Sequence, residues 1–157
     1  MLSYSVCTKY TDISLRISRI ISSILHDLYS LRPPTPDERN KLISKHSNEL
    51  QNWRRELSRF LDSDSFDVSL LIPIFGRQKN VLNLAYHHAL ILIYRPYLLD
   101  SFASLHNNEQ RLDGAGQEMV SECLKAALSI ITIVNELAAD NQLYRSFWVR
   151  NIKALYS

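Results

Sequence analysis

Apolar side chains return every three or four positions along most of the chain, the spacing of a helix face rather than the alternation of a strand. Ile13, Ile17, Ile20, Ile21, Ile24, Leu28 and Leu31 make the first such stripe, and Ser14, Ser18, Ser22, Arg16 and Arg19 cover its other side. Thr11-Asp12 reads as the start of this helix. "RPPTP" stops it, because proline has no amide proton and disfavours helix in the residue before it.

A second helix is announced by "TPDE". Thr35 stands at the N-cap, Pro36 at the first helical position and Glu38 three residues after the cap. Leu42, Ile43, His46, Leu50, Trp53, Leu57, Phe60 and Leu61 carry its apolar face, while Lys41, Lys45, Arg55 and Arg59 read as a solvated side. "DSDSFD" is a loop and "LLIPIFGRQ" an apolar connector, so a third helix begins near Gln78. The polar stretch "SLHNNEQRLDGAG" separates it from a fourth helix starting at about Gln117. Met119, Val120, Cys123, Leu124, Ala127, Ile130, Ile131, Val134 and Leu137 should face inward there. After "AADNQ", Leu143, Phe147, Trp148, Ile152 and Leu155 outline a fifth helix with no stop signal after it. The expected fold is all-α: an antiparallel multi-helix bundle of about five main helices, one domain over 1–157 and part of a larger helical domain.

Composition narrows this picture without redirecting it. With 46% apolar and 22% charged residues the chain is ordinary globular protein, and three glycines without an Asn-Gly or Asp-Gly pair give no hairpin signal. A formal charge of +2 is too small to imply nucleic acid, which requires clustered Lys and Arg. Cys7 and Cys123 lie far apart and outside any CxxC spacing, so they signal neither a disulfide framework nor a zinc site. No apolar run approaches the roughly 20 residues of a membrane span, and no secretory leader opens the sequence. A soluble intracellular protein without membrane partners is the expectation.

The stretch with the most chemical promise is "LAYHHALILIYRPYLL", Leu84 to Leu99. His87 and His88 are neighbours and so point about 100° apart on a helix, which denies them a shared metal ion. Neither has Asp, Glu, Cys or His three or four residues away. No glycine-framed serine, Cys-His signature or phosphate loop supplies a catalytic alternative. Arg95 falls on the stripe of His88, two turns on, in a segment whose Ala89–Ile93 portion is apolar all round. An enclosed guanidinium there needs an acid or carbonyls around it. Pro96 offers one by leaving a carbonyl without its helical amide. Arg95 is therefore either an anchor of the fold at the point where the helix ends or bends, or a reader of an acidic ligand. In the second case His88 and the aromatic rings of Tyr86 and Tyr97 would line the pocket.

These motifs together resemble the middle homology region of fungal-specific transcription factors. Tyr86, His87, Ala89, Arg95 and Pro96 match a Tyr-His-x-Ala-x-Ile-x-Leu-x-Arg-Pro helix, and Cys123, Ala126 and Ala127 a following Cys-x-x-Ala-Ala helix. "LQNWRREL" resembles the family's Leu-x-x-Trp-x-x-x-Leu-Pro segment, with Ser58 in place of the proline, and Tyr94 stands where a histidine often precedes Arg-Pro. "RISRIISSILHDLYS" and "FWVRNIKALYS" are similar to the helices on either side of these elements. The resemblance implies a non-catalytic regulatory domain in the nucleus. Its family carries an N-terminal binuclear zinc cluster built on six cysteines, which a chain with two cysteines lacks, so zinc and direct nucleic-acid contact are not expected here. Other protein segments, self-association or a small-molecule effector are the implied partners.

Overall fold

The computed structural model describes residues 2–32, 34–61, 73–107 and 114–139, and among these the chain is wholly helical. Four helices follow one another: α1 (Leu2–Leu28), α2 (Pro36–Leu61), α3 (Pro73–Asn107) and α4 (Gly114–Ala139). The fifth helix expected over 143–155 lies outside the described residues, as do the side chains of Leu57, Phe60 and Leu61.

Helix starts separate what local chemistry decides from what it does not. At α2 the reading holds: the Glu38 amide donates to Thr35 Oγ1 at 3.4 Å, and Glu38 Oε2 accepts from the Thr35 amide at 3.0 Å. This reciprocal cap satisfies donors that the first turn would otherwise leave open, and it explains the lowered pKa of Glu38. The other starts come earlier than expected. α1 continues upstream through Thr11-Asp12 to Leu2, α4 opens at Gly114 rather than Gln117, and α3 opens at Pro73 rather than Gln78. Proline fits that first position because its missing amide has no partner to lose there.

The core gathers where α1, α2 and α3 meet. Ile13, Ile17, Ile20, Ile24 and Leu28 of α1 pack with Ile43, Leu50 and Trp53 of α2 and Leu82, Ala89, Leu92 and Ile93 of α3, all buried. The ion pair Arg16–Glu56 at one end and the bond His46–Asp27 at the other make α1 and α2 antiparallel. Among the described residues α4 packs on α3, with no close backbone approach to α1 or α2. That limited contact overturns part of the expected α4 face: of the residues expected inward Cys123 is buried, but Leu124, Ile131 and Val134 are exposed, while Ala126, not among them, is buried. Leu31 is also fully exposed, because α1 has ended three residues before it.

One polar group is sealed in the α1–α2 seam. His46 is fully buried, and its Nε2–H donates to Asp27 Oδ2 at 2.9 Å. Its Nδ1 is buried too and faces the Glu49 carboxylate at 3.5 Å. His26 above all, then Lys45 and His46, hold the Asp27 carboxyl down to about 2 against the opposing effect of its partial burial.

Candidate functional site

α3 organises the region because, among the described helices, it alone touches the other three. Its Ala89–Ile93 segment is apolar on every side, and Ala89, Leu92 and Ile93 are buried. Pro96 sits inside the helix, which runs on to Asn107, so of the two outcomes expected at Arg95-Pro96, an end or a bend, the end is excluded. A proline at that position removes the amide that would bond the carbonyl four residues earlier. The Tyr29 hydroxyl fills the gap, donating to the Leu92 carbonyl at 2.8 Å. The freed acceptor thus exists, but a tyrosine from the end of α1 takes it, not Arg95.

Arg95 is exposed, as is His88 on the same stripe. The enclosure expected for Arg95 does not occur: the side chain is exposed, although its charge reaches Tyr29 at the end of α1 and Cys123 of α4. No buried guanidinium needs compensation there.

Tyr86 and Tyr97 face α2 instead. The Tyr86 ring stacks on Trp53 with centroids 6.2 Å apart and an interplanar angle of 14°, and the Arg54 guanidinium lies 5.1 Å from its centroid. Arg54 also donates to Asn83 Oδ1 at 2.9 Å. One turn-pair further along, the Tyr94 and Ser47 hydroxyls meet at 2.9 Å. Beyond them the Tyr97 hydroxyl donates to Asn40 Oδ1 at 2.7 Å, and Arg39 reaches Asp100 at 2.7 Å while lying 5.8 Å from the Tyr97 centroid. As α2 residue numbers fall, α3 numbers rise, so the two helices are antiparallel along a ladder of aromatic and polar contacts. Tyr86 and Tyr97 stand at opposite ends of it, and the four sequence-selected residues do not converge on one point.

His87 lies beside this ladder. Its ring meets Tyr86 edge-on at 5.3 Å, and its buried Nδ1 has no hydrogen-bond partner. Burial, and after it the Arg54 charge, lower its pKa, so the ring is neutral at pH 7. Burial likewise raises the Cys123 pKa, which keeps the thiol protonated and poorly nucleophilic. His46 and Asp27 resemble two members of a hydrolytic triad, yet the nitrogen that would take a nucleophile's proton is buried and turned toward Glu49. No group of three or more His, Cys, Asp or Glu residues is placed to hold a metal ion among the described residues. No helix among them is long and apolar enough to cross a membrane.

Sequence reasoning found the tyrosines but not their partners. Arg54, Asn83, Ser47 and Tyr29 carry no local motif, and a residue contact made across 29 to 63 positions leaves no trace in spacing. What the arrangement does is mechanical: it fixes the register of α2 on α3 and closes the break that Pro96 makes.

The chain is similar to Activator of stress genes 1 of Saccharomyces cerevisiae, with 22% identity over 155 residues. The match covers 99% of this chain but 15% of that protein. No family model matches the chain, and no solved structure does.

Proposed function

We propose that the chain is a non-catalytic regulatory segment of a fungal transcription factor, acting on transcriptional output through its helical surface. The observation that carries this reading is the end-to-end likeness to a gene activator, covering 99% of the chain rather than one short motif. The ordered motifs of the middle homology region point the same way, and the interhelical ladder suits a rigid scaffold better than a reaction centre. DNA recognition, by a zinc cluster in the family's manner, is assigned to another part of the polypeptide, and the working location is the nucleus. Fluorescence anisotropy of this chain with duplex DNA at physiological salt is the test. Only weak, salt-sensitive, sequence-independent binding is expected. Tight sequence-specific binding would overturn the reading.

A second reading rests on the exposed stripe of His88 and Arg95. An acidic effector or acidic peptide would pair with the Arg95 guanidinium there, without Tyr86 and Tyr97, which α2 already engages. Calorimetric titration with small carboxylates, repeated on Arg95→Ala, separates the two readings: binding lost with the arginine favours the sensor.

A further inference from the structure

We propose that Thr35 is a phosphorylation site for a proline-directed protein kinase, and that the phosphate displaces Glu38 from the cap of α2. Thr35 lies with Pro34 in the non-helical link between α1 and α2, and both Thr35 and Pro36 are exposed. Pro36 has no amide proton and disfavours helix in the residue before it, so the threonine is held out of α2. A kinase cleft takes its substrate as an extended strand, and a hydroxyl built into a helix does not fit it. Ser18, Ser44, Ser129 and Thr132, by contrast, stand inside helices and donate to the carbonyls four residues earlier. Thr35-Pro36 is also the one Ser-Pro or Thr-Pro pair in the sequence.

In the transfer, Thr35 Oγ1 attacks the γ-phosphorus of ATP while its proton passes to the kinase's catalytic carboxylate. The new O–P bond forms as the bond from that phosphorus to the β,γ-bridging oxygen breaks, and ADP leaves. The consequence falls on the cap. Unmodified, the Thr35 hydroxyl donates to Glu38 Oε2 at 2.8 Å, and the Thr35 amide donates to the same oxygen at 3.0 Å. Phosphorylation removes the hydroxyl donor and places a charge of about −1.5 to −2 at pH 7 beside the Glu38 carboxylate, in a first turn that also holds Asp37. Like charges repel, so Glu38 moves out to solvent. The phosphate then meets the open amides of that turn, where the helix dipole favours an anion, and Lys41, whose charge already reaches Glu38, supplies a cation nearby. One anion replaces another at the start of α2, and the α1–α2 link gains a phosphate on its surface.

The test incubates the whole folded chain with a proline-directed kinase and ATP, and locates the product by intact mass and peptide fragmentation. One phosphate on Thr35 is expected, kept in Thr35→Ser and lost in Thr35→Ala. It should also be lost in Pro36→Ala, which leaves the hydroxyl in place, with circular dichroism confirming that this variant keeps its helices. The same phosphothreonine is expected on the chain isolated from a fungal host and should vanish on phosphatase treatment. Carbon NMR of the phosphorylated chain should show the Glu38 carboxyl titrating closer to its ordinary value of 4.5 than in the parent, because its bonds to Thr35 hold it below that value there. Modification that falls on another hydroxyl, or that is unchanged in Pro36→Ala, overturns the site. So does a folded chain left unmodified while a peptide of residues 31–40 is modified, or a chain from the fungal host without phosphate on Thr35. A Glu38 titration unmoved by the phosphate overturns the displacement from the cap.

Discussion

Tyr29→Phe removes a single oxygen and tests whether the break at Pro96 is closed from outside the helix. The lost hydroxyl donates to the Leu92 carbonyl at 2.8 Å, and Leu92 is buried. A typical hydrogen bond contributes about 1 kcal/mol net, and an acceptor left unpaired away from water adds about 1 kcal/mol or more. Tyr29 is 37% exposed, so water recovers part of that loss. The expected destabilisation is about 1 to 2 kcal/mol. The same carbonyl can be satisfied another way: Pro96→Ala restores the helical amide and relieves a residue that costs about 3 kcal/mol in a helix interior. In that background Tyr29→Phe should cost only about 0.5 kcal/mol, leaving a coupling of about 1 kcal/mol between the two sites. Urea unfolding of the four proteins, followed by far-ultraviolet circular dichroism and Trp53 fluorescence, gives the cycle. An equal cost of Tyr29→Phe in both backgrounds would refute the reasoning, because the hydroxyl would then not be substituting for the missing amide.

Four further outcomes follow from the same structure. Trp53→Ala, which empties a fully packed indole site and its stack on Tyr86, should cost about 3 to 5 kcal/mol; a thermal melt little changed would refute the placement. Thr35→Ala should cost about 1 kcal/mol in denaturant unfolding by opening the cap of α2. Arg95→Ala should change stability by less than about 0.5 kcal/mol, because the side chain is exposed; a loss of several kcal/mol would restore the buried-anchor reading. Asp27 contributes most above its ordinary value of 3.8, and its contribution fades as pH falls toward about 2, the carboxyl being lower in the folded chain. The stability gap between the parent and Asp27→Asn should therefore be full near neutrality and shrink through that acid window, and a gap independent of pH would exclude the His26–Asp27–His46 linkage.

Legibility in the sequence followed the range of the interaction. The "TPDE" cap is complete within four residues, so it could be read directly. The α1 stripe except Leu31, and Ala89, Leu92 and Ile93 of the apolar α3 segment, also came through, since helical spacing plus composition decides which side must leave water. Arg95 was misjudged for an identifiable reason: a helical wheel gives the side on which a residue lies, but not how many helices stand around it. Arg95 stays exposed even with its charge in reach of Tyr29 at the end of α1 and Cys123 of α4, so neighbouring helices need not bury a side chain that the wheel places on an inward stripe. The α4 face failed by the same logic, because an apolar arc predicts burial only if a partner covers all of it. Tyr29 could not have been found at all, since the need created by Pro96 is local while the group that answers it comes from 63 residues away.

The regulatory reading is tested most directly by tethering. The chain is fused to an unrelated DNA-binding domain, and transcription is measured from a reporter carrying that domain's site. A change in output relative to the DNA-binding domain alone is predicted, lost in Trp53→Ala, which dismantles the core, and kept in Arg95→Ala. Reporter output indistinguishable from the DNA-binding domain alone, with the fusion folded and bound at its site, would contradict the account.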